Sequence, residues 1–170
     1  MDLKKIIRDI PDFPIPGILF RDITTVLKDP TALVGAVDAM VNLLQDVEFD
    51  YILGPESRGF IFGMPMAYKL AKGFVPVRKA GKLPAEVVRR EYALEYGTAV
   101  IEIHKDAIIP GGKYVIADDL LATGGTAKAT ADLITEMGGQ VVATLFFIEL
   151  AELKGRDVLE GYNVHSVLTY

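Results

Sequence analysis

Val115-Ile116-Ala117-Asp118-Asp119-Leu120-Leu121-Ala122-Thr123-Gly124-Gly125-Thr126 is the stretch that decides the fold. An apolar run of the buried-strand type, Tyr114 to Ala117, leads into two acids and then a glycine-rich turn. A helical pattern follows from Thr126 to Met137, closed by Gly138-Gly139. A turn of this kind between strand and helix can aim successive backbone N–H groups at one anion, with the helix dipole behind them. Thr123 and Thr126 add hydroxyl donors, and two carboxylates just ahead of such a cradle suit ribose hydroxyls, which offer O–H donors. An acid and a glycine turn each occur in plain strand–helix junctions. The two together, followed by Thr126, point to a sugar phosphate. No lysine follows the glycines, so this is not a Walker A loop, and G-x-G-x-x-G is absent, so it is not a dinucleotide fingerprint.

Outward from that stretch, strands alternate with helices. Pro30 opens an amphipathic helix with Leu33, Val34, Val37, Met40, Val41 and Leu44 at helical spacing. Tyr51 to Leu53 reads as a strand ending in a turn at Gly54-Pro55, and a helix follows over about Phe60 to Leu70. Phe74 to Val77 is a short strand weakened by Pro76. Lys79 to Gly97 is charged and irregular, a mobile loop or a β excursion, with Ala99 to Ile103 as one of its strands. Val141 to Ile148 is nearly all apolar and reads as a buried strand. The pattern implies an α/β fold, a parallel sheet with helices on both faces, in which ligands bind outside the carboxyl ends of the strands.

The 170 residues suit one domain, and no repeat or linker divides them. Hydrophobic residues at 51% and charged residues at 24% describe a globular chain. There is no apolar stretch of membrane-spanning length and no signal-peptide pattern at the N-terminus. The absence of cysteine excludes disulfides, thiolate metal sites and a Cys nucleophile, and fits a cytoplasmic protein. A net charge of -5 argues against broad nucleic-acid binding. His104 and His165 have no metal-ligand spacing. A second anion-binding candidate is Glu56-Ser57-Arg58-Gly59, at a strand end before a helix, where Arg58 and backbone N–H groups converge.

The diacid loop resembles the ribose-5-phosphate loop of type I phosphoribosyltransferases, and Leu120 to Thr126 resembles the version found in the adenine phosphoribosyltransferases. Further segments match that family in order: Phe13 to Thr24, Glu56 to Phe60, Gly81-Lys82-Leu83-Pro84 and Leu94-Glu95-Tyr96-Gly97. Arg89-Arg90 makes the stretch Ala85 to Arg90 more basic than the family pattern. The resemblance implies a type I phosphoribosyltransferase-like parallel sheet flanked by helices, with a small N-terminal hood over about residues 1–30 within the one domain, and a flexible loop. It implies transfer of a 5-phosphoribosyl group from its 1-diphosphate to adenine, giving AMP and diphosphate, as in purine salvage. Asp118, Asp119, Ala122, Thr123, Gly124, Gly125 and Thr126 would bind the ribose phosphate. Ser57, Arg58, Lys79 and Lys82 would bind the diphosphate, whose loop often carries a non-proline cis peptide, at Glu56-Ser57 or Ser57-Arg58 here. Leu19, Phe20 and Arg21 would hold adenine, with Phe20 stacking and Arg21 acting largely through its backbone. Glu95, with Tyr96 beside it at the loop tip, would be catalytic together with Arg58. Mg2+ would be held mainly by the substrate, near Asp118 and Asp119, with no direct protein ligand set. A homodimer is implied as well. Two rival readings remain: a transferase for hypoxanthine, guanine or a pyrimidine, and a non-catalytic nucleotide sensor on the same fold. The opening segment and Leu94 to Gly97 argue against the first. The lack of a spare DNA-binding segment argues against the second.

Overall fold

The computed structural model describes residues 2–94 and 97–170. The chain forms two compact units, one up to Ala39 and the other from Met40 onward.

The first unit opens with a short 3-10 turn at Leu3–Lys5 and a two-stranded antiparallel hairpin of β1 (Arg8–Ile10) and β2 (Phe20–Asp22), then α1 (Thr24–Lys28). In the hairpin Arg8 faces Asp22 and Asp9 faces Arg21. Both pairs close as ion pairs across the strands, the sheet counterpart of a helix i,i+4 bridge. Asp22 also accepts the Thr24 hydroxyl at 2.7 Å and the Thr24 backbone N–H at 2.9 Å. These bonds and the Arg8 guanidinium hold its carboxyl down at about 2. Phe13 meets Phe20 edge-on, centroids 5.1 Å apart, and the Phe13–Pro14 peptide is cis.

α2 (Pro30–Asn42) begins at the expected proline. Asp29 caps it, its Oδ1 accepting the N–H groups of Thr31 at 2.9 Å and Ala32 at 3.0 Å. Its buried stripe runs through Ala32, Ala36, Val37 and Met40, continuing to Leu44 beyond the helix. Val34, expected on that stripe, is 58% exposed. The small alanines mark the buried face, and a count of large apolar residues passes over them.

The second unit is built on a seven-stranded sheet. Its strands are β3 (Tyr51–Pro55), β4 (Gly73–Lys79), β5 (Val87–Ala93), β6 (Thr98–His104), β7 (Lys113–Leu121), β8 (Gln140–Glu149) and β9 (Val164–Thr169). They lie in the order β5-β6-β4-β3-β7-β8-β9. The pairs β3–β4, β3–β7, β7–β8 and β8–β9 are parallel, while β4–β6 and β5–β6 are antiparallel. The charged stretch after Lys79 is therefore a β excursion, an antiparallel arm on a parallel sheet. Its helices are α3 (Arg58–Leu70), α4 (Gly125–Glu136) and the single turn α5 (Gly155–Val158). α3 starts two residues before the sequence pattern suggests, and it buries Phe62, Gly63, Met66 and Ala67 at i, i+3 and i+4 spacing. Gly63 is obligatory there, since a Cβ would come within 2.6 Å of the Phe74 ring.

The core joins Leu53, Val75, Ile103, Tyr114 and Ile116 of the strands to Ala129, Leu133 and Ile134 of α4. Burying each such aliphatic side chain is worth about 1.5–3 kcal/mol. β8 is buried along its last seven residues, which is why it reads as an unbroken apolar run. Chain order runs outward from the centre on both sides, β3 to β4 one way and β7 to β8 the other. A crevice opens where such a sheet changes direction, beyond the carboxyl ends of β3 and β7.

Candidate active site

A cleft of about 290 Å³ occupies that position. β3 delivers Pro55 and Glu56, the first turn of α3 delivers Ser57 and Arg58, and the end of β4 delivers Arg78 and Lys79. β7 and the turn into α4 line it continuously from Asp118 to Ala127. Tyr92, Ala93 and Leu94 come from the antiparallel arm. Of the residues anticipated from sequence, the cleft unites Ser57, Arg58, Lys79, Asp118, Asp119, Ala122, Thr123, Gly124, Gly125 and Thr126. Lys82 is exposed and lies outside the lining, on the turn that leaves Lys79. Leu19, Phe20 and Arg21 belong to the first unit. Glu95 and Tyr96 lie outside the described residues.

The two acids sit within β7 rather than after it, so their side chains leave on opposite sides of the strand. Asp119 is almost fully buried, and its Oδ2 lies 3.1 Å from Arg58 Nε. Asp118 reaches the cleft and its Oδ1 accepts the Asp119 backbone N–H at 2.8 Å. Burial raises both carboxyls above the ordinary range. The charge of Asp119 pushes Asp118 further, and Arg58 pulls Asp119 back. The two titrate as a unit that holds a proton more firmly than ordinary carboxyls. Gly59 makes room for this pair: a Cβ there would lie 2.8 Å from Pro55, 3.0 Å from the Ala117 carbonyl and 3.1 Å from Asp118 Oδ1.

The turn that follows has the geometry of an anion cradle. Gly124 has φ +86°, and a Cβ on it would come within 2.7 Å of the Gly155 carbonyl. Gly155 in turn stands against Ala122, whose carbonyl a Cβ would approach to 2.4 Å. Two glycines thus press the cradle against α5. That helix is held by Arg156, which grips Glu149 through two bonds of 2.7 and 2.8 Å and donates to the Val164 carbonyl at 2.9 Å. Among the described residues, no side chain caps the start of α4. Its first-turn N–H groups and dipole are therefore available to an anion.

Across the cleft, Glu56 orients the basic side. Its Oε1 accepts the Lys79 backbone N–H at 2.6 Å and the Arg78 Nε at 3.2 Å, and these contacts lower its pKa, the Lys79 bond most. Its own N–H donates to the Val77 carbonyl at 2.8 Å. The peptide Glu56–Ser57 is cis, which settles the alternative left open by the sequence. Glu102, 1% exposed on β6, accepts the Gly81 N–H at 3.0 Å, and Arg89 Nη2 lies 3.1 Å from its other oxygen. Two carboxylates therefore hold the turn between Lys79 and Lys82.

The chain matches the phosphoribosyl transferase domain over residues 22–166. It is 57% identical over 168 residues to an adenine phosphoribosyltransferase of Lachnoclostridium phytofermentans, covering 99% of this chain and 97% of the relative. The chain belongs to the adenine phosphoribosyltransferase family. Solved members of the family superpose along its length. The Thermoanaerobacter pseudethanolicus enzyme does so with a TM-score of 0.97 at 52% identity, covering 99% of this chain and 98% of that one. The Saccharomyces cerevisiae adenine phosphoribosyltransferase, complexed with an imino-altritol bisphosphate and adenine, gives 0.94 at 41% identity, covering 98% and 96%.

Arg78, Glu102 and Tyr92 escaped the sequence reading, and Glu56 was named there without the role it has here. Glu56 and Glu102 act on backbone N–H groups distant in sequence, for which no local pattern exists. Tyr92 left no signal in the residue types of β5, and its place shows only in the burial of the folded strand. Val88, Arg90 and Tyr92 alternate as the less exposed positions of β5, a period of two that places them on one face.

Proposed function

We infer that the chain is an adenine phosphoribosyltransferase, which joins adenine N9 to carbon 1 of 5-phosphoribosyl 1-diphosphate and releases AMP and diphosphate, a purine-salvage reaction. The observation that carries this is one cleft holding an uncapped glycine cradle, a buried diacid and a cationic wall, in a chain of this family. In this reading the cradle from Ala122 to Thr126 takes the 5-phosphate. Asp118 and Asp119 accept the ribose hydroxyls. Ser57, Arg58, Lys79 and Lys82 meet the diphosphate. As the C1–O bond breaks, carbon 1 gains positive character, which the adjacent carboxylates favour, and Arg58 meets the charge growing on the leaving oxygen. The proton on adenine N9 passes to water as the new C–N bond forms, so that adenine and the donor give AMP, diphosphate and one proton.

Leu19, Phe20 and Arg21 hold adenine in this scheme. The Arg21 guanidinium is ion-paired with Asp9, so a contribution from the Arg21 backbone is the one its placement favours. Glu95 assists at the base, with Tyr96 beside it. Mg2+ fits the donor chemistry present. Among the described residues no three metal-ligating side chains cluster, and Asp118 and Asp119 offer the hard oxygens that such an ion shares with substrate phosphates. When bound there, it would neutralise charge on the diphosphate. No helix among the described residues is long and apolar enough to cross a membrane. A chain without cysteine fits the cytoplasm, the location read for this enzyme. A homodimer is the assembly that the family resemblance implies.

The test mixes the protein with Mg2+, the diphosphate donor and each nucleobase in turn, and measures released diphosphate. Adenine should support turnover far above hypoxanthine or guanine. Equal turnover with hypoxanthine would defeat the assignment of the base, and no turnover with any base would favour a nucleotide sensor.

A further inference from the structure

The phenol of Tyr92 lies 3.1 Å from the Thr126 hydroxyl, joining the antiparallel arm to the glycine cradle. We propose that Tyr92 is a positioning residue for the donor, orienting the Thr126 hydroxyl toward the 5-phosphate. This rests on the reading of Ala122 to Thr126 as the phosphate cradle. A threonine hydroxyl has one proton and two acceptor sites. When the phenol donates to Thr126 Oγ1, the single Thr126 proton is left to point at an anion. Two hydrogen bonds in series also polarise one another, so the donated proton binds the phosphate more strongly.

The surroundings fix the phenol where this role needs it. A Cβ on Gly125 would sit 3.5 Å from the Tyr92 ring, so the ring covers the first residue of α4. Arg90, on the same face of β5, lies 3.1 Å from Asp132 and 3.3 Å from Glu136 on α4. Strand and helix are thus pinned at two points, and Tyr92 cannot swing away from Thr126 without breaking the second. Arg90 is one of those pins. Two residues past Tyr92, the Leu94 N–H donates to the Gly97 carbonyl at 2.9 Å.

The test is a double-variant cycle read by steady-state kinetics. Tyr92→Phe keeps the ring and deletes only the phenol hydroxyl. It should raise KM for the diphosphate donor about three- to tenfold, the range expected for one hydrogen bond supporting a charged contact. KM for adenine and the urea midpoint should stay as in the parent. Thr126→Val keeps the shape of the threonine and removes its hydroxyl. In that background Tyr92→Phe should add less than about twofold, because its effect passes through Thr126. If Thr126→Val raises donor KM and Tyr92→Phe does not, the proposal falls while the cradle stands. If the two effects multiply, Tyr92 acts independently and the proposal falls likewise. If Thr126→Val leaves donor KM unchanged, the assignment of Thr126 to the phosphate fails, and this inference with it.

Discussion

Arg58 Nε stands 3.1 Å from Asp119 Oδ2, so the cation assigned to the leaving diphosphate is paired, before any ligand arrives, with a carboxylate assigned to the ribose. The guanidinium lowers the pKa of a carboxyl that burial raises. Arg58→Gln removes that pull, so ionising Asp119 will require a higher pH. We expect the acid limb of the kcat/KM profile for the donor to move to higher pH in this variant, with a lower plateau. A profile that drops without moving would separate Arg58 from the titration of the diacid.

Asp118 predicts a conflict between activity and stability. Its carboxyl is raised in the folded protein. The sign follows from linkage: the stability it contributes is complete below the unfolded value of about 3.9, and is lost as pH rises through the raised folded value. Asp118→Asn abolishes that loss. The variant should unfold at higher urea than the parent at pH 7–8, with the difference shrinking toward pH 4. The same variant should use the donor at least tenfold less well, since a hydrogen bond to a charged group is worth about 1.5–3 kcal/mol. A parent-like KM and kcat for the donor would remove the ribose assignment.

Asp22 carries the opposite sign. Its carboxyl is lowered from 3.8 to about 2 by Thr24 and Arg8. Its contribution is present above the unfolded value and lost as pH falls through the folded one, in the window from about pH 4 down to about pH 2. Discounted for the exposure of Arg8, it is on the order of 1–2 kcal/mol at neutral pH. Asp22→Asn should lower the urea midpoint at pH 7, and the deficit should close in that acid window.

Base choice should survive the loss of the Arg21 side chain. Adenine offers an amino donor beside the bare N1 acceptor, while hypoxanthine and guanine reverse that pair. A backbone N–H and C=O would discriminate by leaving buried groups unpaired, a device that can reach about 10⁴. Arg21→Ala should therefore keep the preference for adenine even as activity falls. Collapse of the kcat/KM ratio between adenine and hypoxanthine would transfer the selectivity to the guanidinium.

Glu95 can be tested by chemistry alone. Gln keeps shape and a hydrogen-bond donor but cannot transfer a proton, while Ala removes both. Proton donation to adenine N7 predicts that both variants lose about 10²–10⁴ in kcat with donor KM little changed. Positioning predicts that Gln retains most of the activity and Ala does not. Parent-like rates in both would leave Glu95 without a role.

The parallel core was legible because buried strands and amphipathic helices leave local periodicities: β3, α3, β7, α4 and β8 all followed from apolar spacing and glycine punctuation. The hairpin of β1 and β2 was not, since three-residue strands rich in charge carry no such period and are held by cross-strand ion pairs. β9 was missed for a related reason: Val164, Val167 and Leu168 are interrupted by His165 and Ser166 and keep no period of two, so its place depends on register against β8. The cradle and Arg58 were legible because one contiguous segment builds each. Glu102 and Tyr92 were not, because they act on partners 21 and 34 residues away in sequence.

Heat will test α5 before it tests the sheet. A four-residue helix has no stability of its own, yet its Gly155 forms the wall behind Gly124. What keeps it there is the grip of Arg156 on the almost fully buried Glu149. The cost of stripping water from such a pair falls as temperature rises, while the hydrophobic contribution levels off. The wall of the phosphate cradle is thus fastened by an interaction that warming favours, and donor affinity in this enzyme should decline less steeply with temperature than in an Arg156→Met variant.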